Sequence, residues 1–249
     1  MEATDFRLRT LLRRVWPFFV VLSIFWGISL YWWMTLGYHG TFRWVNEFHV
    51  PALDSAALYV FTHFADGLIL PGIIFLLFWR KDPVLAITAF LAIMITGLLA
   101  QGGKMLIFTD WQRPPVVFQG MSDVGIVHPN PPHSRSFPSG HSTSAATGGL
   151  FFAYFLSQWR VGWTVLVGLF TVFVGFTRVI IGVHFPGDVF VGSIIGSVGG
   201  LLILHWLYPV LAHRLQRLRR AQSGRVALAV MVAAVVVIAA QFTHMLLVT

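Results

Sequence analysis

The stretch RKDPVLAITAFLAIMITGLLAQGGK, residues 80–104, decides the fold. From Pro83 to Gly103 it carries no charged residue, and an apolar run of about 20 residues is long enough to cross the hydrocarbon core of a bilayer as a helix. Charges bound it on both sides, Arg80, Lys81 and Asp82 at one end and Lys104 at the other. Comparable runs lie at 15–37 and 56–79 before it, and at 140–159, 161–181, 187–208 and 226–248 after it. Composition agrees: 57% of the 249 residues are hydrophobic and 10% charged, whereas soluble domains average about 45–50% apolar and about 25% charged. The expected fold is all-α, a polytopic transmembrane helix bundle. Residues 1–208 form a six-helix membrane domain, 209–225 a basic inner linker, and 226–249 a seventh transmembrane helix. The first run is long enough to span and lacks a small-residue cleavage site, so it is read as an anchor and not as a removed signal peptide.

The net charge of +8 does not point to nucleic acid in so apolar a chain. Basic residues here are better placed to fix orientation against an anionic inner leaflet. With the N-terminus inside, Arg7, Arg9, Arg13, Arg14, Arg80, Lys81, Arg160, Arg214, Arg217, Arg219, Arg220 and Arg225 all face inward, twelve of the 17 cationic residues. Arg43, Lys104, Arg113, Arg135 and Arg178 stand on the outer face against that bias. Cysteine is absent, which excludes disulfides, thiolate metal sites and cysteine nucleophiles. One outer connection, 102–138, is unusually long and rich in Pro, Gly, His and Arg, and a loop of that length is more often functional than a spacer. Within it Pro114, Pro115, Pro131 and Pro132 oppose regular helix, and Trp111, Phe118 and Phe137 are expected to rest in the membrane interface.

Three segments at outer helix ends carry chemistry. Lys104 and Arg113-Pro114 supply a compact cation and a planar fork of donors, which together suit a phosphoryl group. Phe137-Pro138-Ser139-Gly140-His141 opens the fourth run. Ser139 is a good N-cap, the free N–H groups of the first turn form an anion site, Gly140 admits close approach, and His141 can exchange a proton near neutral pH. Thr177-Arg178 is followed by His184, by the turn residues Phe185-Pro186-Gly187, and by Asp188 in the first turn of the next helix. A carboxylate there can accept the N–H of one imidazole nitrogen and leave the other nucleophilic. Asp188, Gly192, Gly196 and Gly200 recur every four residues, a small-residue face suited to close helix packing. Two histidines, three cations and one aspartate from distant parts of the chain thus meet on one membrane face. No pair of acidic clusters accompanies them, so metal-assisted hydrolysis has little support in the sequence.

These motifs resemble those of the type 2 phosphatidic acid phosphatases, a family whose wider group includes glucose-6-phosphatase and vanadium-dependent haloperoxidases. The family signature reads Lys-x6-Arg-Pro, Pro-Ser-Gly-His and Ser-Arg-x5-His-x3-Asp. Pro138 to His141 match fully. Thr177-Arg178, His184 and Asp188 match with Thr in place of Ser, while Lys104 and Arg113-Pro114 match with eight residues between Lys and Arg, so the extra residues must be absorbed before Arg113. The resemblance implies a six-helix phosphatase core and a reaction through phosphohistidine, with His184 as nucleophile, Asp188 orienting it and His141 as proton donor. It also implies that Lys104, Arg113, Ser139, Gly140 and Arg178 bind the substrate phosphate, with no metal and no other cofactor. The implied substrate is a phosphorylated lipid, among them undecaprenyl pyrophosphate, phosphatidylglycerol phosphate, phosphatidic acid or the lipid A phosphate. Membrane lipids are the surrounding partners, and neither nucleic acid nor an obligatory protein partner is expected. The expected location is a bacterial inner membrane, N-terminus cytoplasmic, site facing the periplasm or exterior. Transfer of the phosphoryl group to a second lipid is the related alternative, and non-catalytic binding or transport of a lipid phosphate the more distant one.

Two further features are open at this level. Asp66 and His63 fall within the second run, where an ionisable residue either lines a functional site or satisfies a polar contact between helices. Residues 211–220 place Leu211, Leu215 and Leu218 opposite arginines, the pattern of an anchoring helix at the inner surface. Trp26, Trp32 and Trp33 read as lipid-facing or interfacial packing.

Overall fold

The computed structural model describes residues 6–47, 62–63, 65–67, 69–121, 124–126, 135–218 and 232. The six earlier apolar runs each carry a helix. These are α1 (Leu8–Asn46), α2 (Ile69–Trp79), α3 (Pro83–Gly102), α5 (Gly140–Leu156), α6 (Val161–Ile180) and α7 (Pro186–Leu218), with a short α4 (Pro114–Val117) between α3 and α5. The spans Leu8–Asn46, Pro83–Ile107, Val161–Ile180 and Pro186–Leu215 are long and apolar enough to cross a membrane, and the chain is an integral membrane protein. The seventh run, 226–248, lies outside the described residues apart from Val232.

α5 is the central post. It packs on α7, α6 and α3, and more lightly on α1 and α2. Lipid offers no hydrophobic drive between helices, so small residues and interhelical hydrogen bonds set how closely they approach. The Asp188–Gly192–Gly196–Gly200 face meets α5 as its spacing predicts. A Cβ on Gly196 would stand 2.1 Å from the carbonyl oxygen of Thr143, and one on Gly192 2.5 Å from that of Ser139, so only glycine permits this approach. A buried polar ladder crosses the same seam, Thr96 Oγ1 to Thr147 Oγ1 at 2.8 Å and Thr147 Oγ1 donating to the Gly196 carbonyl at 3.0 Å.

Several expectations are revised. Asp66 does not lie inside a helix: Ala65–Gly67 form a break before α2 begins at Ile69. The boundary expected at 208 is not a helix end, because α7 continues through Pro209 to Leu218, so the first half of the basic linker extends the sixth span. The long connection has packed structure of its own. Phe118 and Phe137 are buried, Phe118 stacked on Phe42 and Phe137 between Phe108 and Trp111. Phe118 ties the loop to α1, and Phe137 packs within the loop itself. Trp26 donates to Ser193 Oγ at 2.8 Å, tying α1 to α7.

Candidate active site

The end of the bundle where α3 and α6 finish and α5 and α7 begin gathers the singled-out residues. After α6 the chain turns sharply. Gly182 has φ +76°, and a Cβ there would meet the Gly125 carbonyl at 2.8 Å, so this turn requires glycine. The turn brings the Val183 and His184 N–H groups back to the Arg178 carbonyl, both at 3.2 Å. Pro186 then occupies the first position of α7, where a missing N–H costs nothing, and Asp188 follows in the first turn.

Asp188 is wholly buried and heavily donated to. Its Oδ2 accepts from His184 Nδ1 at 2.9 Å, from the Phe185 N–H at 3.0 Å and from the Ser136 hydroxyl, while Oδ1 accepts from the Tyr38 hydroxyl. On the far side of the ring, His184 Nε2 lies 3.1 Å from Arg113 Nη1. A guanidinium can only donate, so Nε2 must be the accepting nitrogen and the ring proton sits on Nδ1, facing Asp188. His184 is therefore held as the tautomer whose lone pair points into the site. Burial, then the cations Arg113, Lys104 and Arg178, hold its protonation well below the usual histidine range, so the ring is neutral at pH 7.

Arg113 is fixed by a second bond from Nη1 to the Val183 carbonyl at 2.9 Å, and its buried Nε has no hydrogen-bond partner among the described residues. Such a donor is costly unless an acceptor arrives. Lys104 is buried in a π-helical turn, Gly103–Ile107, closed by the Phe108 N–H on the Gly103 carbonyl at 2.9 Å. A π-turn takes up an additional residue, which is how part of the longer Lys104–Arg113 spacing is absorbed. Arg178 donates from Nη1 to Thr62 Oγ1 at 3.0 Å. Ser139 caps α5, accepting from the Ser142 N–H at 3.3 Å, and its own N–H donates to the Asp188 carbonyl at 3.1 Å, joining the starts of α5 and α7. A Cβ on Gly140 would meet nothing within 4 Å, so the space before this first turn is open. His141 follows, with Nε2 3.7 Å from Asp66 Oδ2. Arg135 is directed elsewhere, to the carbonyls of Thr109 and Met105.

The profile of the PAP2 superfamily matches residues 85–211. The chain belongs to the PAP2 superfamily. It is accordingly an enzyme of the phosphatase class, as the motifs implied. Among the relatives of this PAP2 protein, an undecaprenyl-diphosphatase from Sulfolobus acidocaldarius is 25% identical over 156 residues, covering 63% of this chain and 71% of the relative. Two crystal structures share the fold. LpxE from Aquifex aeolicus matches with a TM-score of 0.55 and 30% identity over 66% of this chain and 93% of that one. A transmembrane PAP2-type phosphatidylglycerolphosphate phosphatase from Bacillus subtilis matches with a TM-score of 0.51 and 27% identity over 78% and 96%.

In this PAP2 protein all eight residues singled out by sequence fall at one end of the bundle. Three partners were missed. Tyr38 arrives from beyond the α1 kink at Gly37, Ser136 from the loop, and Thr62 from the segment before α2. None has a motif of its own. Only Ser136, two residues before Pro138, was near enough to a motif to be suspected.

Proposed function

We propose that this PAP2 protein removes phosphate from a membrane lipid, as a monoester or pyrophosphate, through a phosphohistidine on His184 and without a metal. The observation that carries this reading is the orientation of His184, with its proton toward Asp188 and its lone pair toward the cations. Binding alone has no need of an oriented nucleophile.

In the proposed reaction the phosphoryl group enters beside Nε2, and Arg113 exchanges its bond to the ring for one to a non-bridging oxygen. Nε2 attacks phosphorus while the bond to the lipid oxygen breaks, and His141 gives that oxygen a proton. Asp188 stabilises the positive ring that results. Water, losing a proton to His141, then attacks phosphorus, the P–N bond breaks, and inorganic phosphate leaves. Lys104, Arg113, Arg178 and the first turn of α5 at Ser139 and Gly140 hold the oxygens as charge redistributes.

A lipid substrate is supported by a groove of about 610 Å³ between α2, α5 and α6. Its apolar wall runs from Ala65, Ala145 and Val174, each close in sequence to Asp66, His141 or Arg178, toward Leu156 and Trp163 at the opposite end. A tail lying there leaves the phosphate at His184. The names of the relatives support undecaprenyl pyrophosphate, phosphatidylglycerol phosphate and the lipid A phosphate as candidates, and the motif resemblance adds phosphatidic acid. The arginine and lysine distribution supports a site on the outer face of a bacterial inner membrane. The test is phosphate release from a panel of these lipid phosphates by purified protein in detergent. His184→Ala is expected to abolish release from every substrate while folding is kept, and near-normal activity of that variant would remove the phosphohistidine from the reading.

A further inference from the structure

His184 has a carboxylate partner in its own motif, whereas His141 has none in the sequence around it. The structure supplies one from elsewhere. Asp66, in the break before α2, places Oδ2 3.7 Å from the buried His141 Nε2, a charge-pair separation and not a hydrogen bond, and that nitrogen has no hydrogen-bond partner among the described residues. The segment is held in place by packing: a Cβ on Gly67 would stand 3.3 Å from Ser144 Oγ, and Ala65 is buried with Ala145 and Val174. The Asp66 backbone is also fixed, its N–H on the His63 carbonyl at 2.9 Å and its carbonyl accepting from the Leu70 N–H at 3.0 Å.

The charges facing His141 explain why a carboxylate matters there. Arg178 from α6, His63 from the segment before α2, Lys104 from the end of α3 and Arg113 from the loop are the cationic and titratable groups around the ring, and like charges repel. A proton donor must nevertheless carry its proton when substrate is bound. We propose that Asp66 is the positioning residue of His141: it turns Nε2–H toward its carboxylate and stabilises the imidazolium, leaving Nδ1–H to protonate the departing lipid oxygen. This rests on the reading of His141 as proton donor given above. Each of the two histidines then has a carboxylate beside one ring nitrogen.

The rival role for Asp66 is to cap α2, and Asn caps a helix as well as Asp does. Asp66→Asn therefore removes charge while keeping the cap. The experiment is single-turnover phosphorylation of full-length enzyme by a lipid monoester and by a lipid pyrophosphate, across the pH range. A monoester expels a basic alkoxide and depends on the donor, whereas a pyrophosphate expels a much less basic phosphate. Asp66→Asn is expected to slow the monoester reaction about tenfold or more, to slow the pyrophosphate reaction less, and to move the alkaline limb of the monoester profile about one unit toward acid. Asp66→Glu should recover part of the loss. In a His141→Ala background Asp66→Asn should cost nothing more, since the two act as one unit. Equal losses on both substrates, an unmoved alkaline limb, or additive losses in the double variant would each overturn the inference. If His141→Ala itself slows both substrates equally, the donor assignment fails with it, and that outcome is separate from a failure of Asp66 alone.

Discussion

Replacing Asp188 by Asn tests the donor arrangement around the buried carboxylate. Oδ2 accepts from His184 Nδ1, the Phe185 N–H and the Ser136 hydroxyl, while Oδ1 faces only the Tyr38 hydroxyl. An amide nitrogen at the Oδ2 position would meet three donors. At the Oδ1 position it would meet one hydroxyl, which can rotate and accept. The amide is therefore expected to keep its oxygen on His184, so the ring tautomer survives and only the charge is lost. Treating the charge-assisted bond as wholly lost sets the ceiling at about 1.5–3 kcal/mol, roughly 10- to 100-fold in rate. That is well short of the roughly 10⁴-fold loss in a serine-protease triad, where the Asp-to-Asn change imposes the wrong tautomer. Asp188→Ala, which leaves four donors without an acceptor, should bring the rate below detection. The assay is rapid-quench phosphorylation of purified enzyme by a labelled lipid phosphate in detergent, with helicity compared by circular dichroism. An Asn variant slowed 10⁴-fold or more, or as inactive as Ala, would refute the argument from donor placement.

Three further outcomes are expected. Because Lys104, Arg113 and Arg178 supply the cationic charge, activity should persist in EDTA and vanadate should compete with substrate; loss in EDTA restored by Mg²⁺ would overturn this. His184 must be neutral to attack, and burial with the neighbouring cations keeps it neutral well below the usual histidine range. The acid limb of kcat/KM should thus lie below about pH 6.5, the ordinary histidine value, and a limb above it would contradict the described environment. Finally, in this cysteine-free chain, the exposed Gln119 and Gln158 lie toward opposite ends of the bundle. Gln119→Cys should react with an impermeant thiol reagent in intact cells and Gln158→Cys should not; the reverse pattern would invert the orientation.

Sequence by itself determined the membrane class, the presence of a helix in each of six apolar runs and the motif residues that gather at the candidate site, because these depend on local properties. An uncharged run of bilayer length needs only its own composition. His184 and Asp188 meet because a turn and one helical step separate them, and Ser139 caps the helix it precedes. Even the close packing of α7 on α5 was legible in the four-residue glycine interval. What only the tertiary structure decided are contacts between segments with no shared pattern. Tyr38 and Ser136 reach Asp188 from 150 and 52 residues away, and neither carries a periodicity or motif that marks it. The π-turn at Lys104, the extension of α7 past Pro209 and the break at Asp66 share that origin. Local propensity leaves each nearly undecided, and packing against neighbouring helices makes the choice. The tautomer of His184 belongs here as well, since it follows from a guanidinium on one side of the ring and a carboxylate on the other, which only the folded chain brings together.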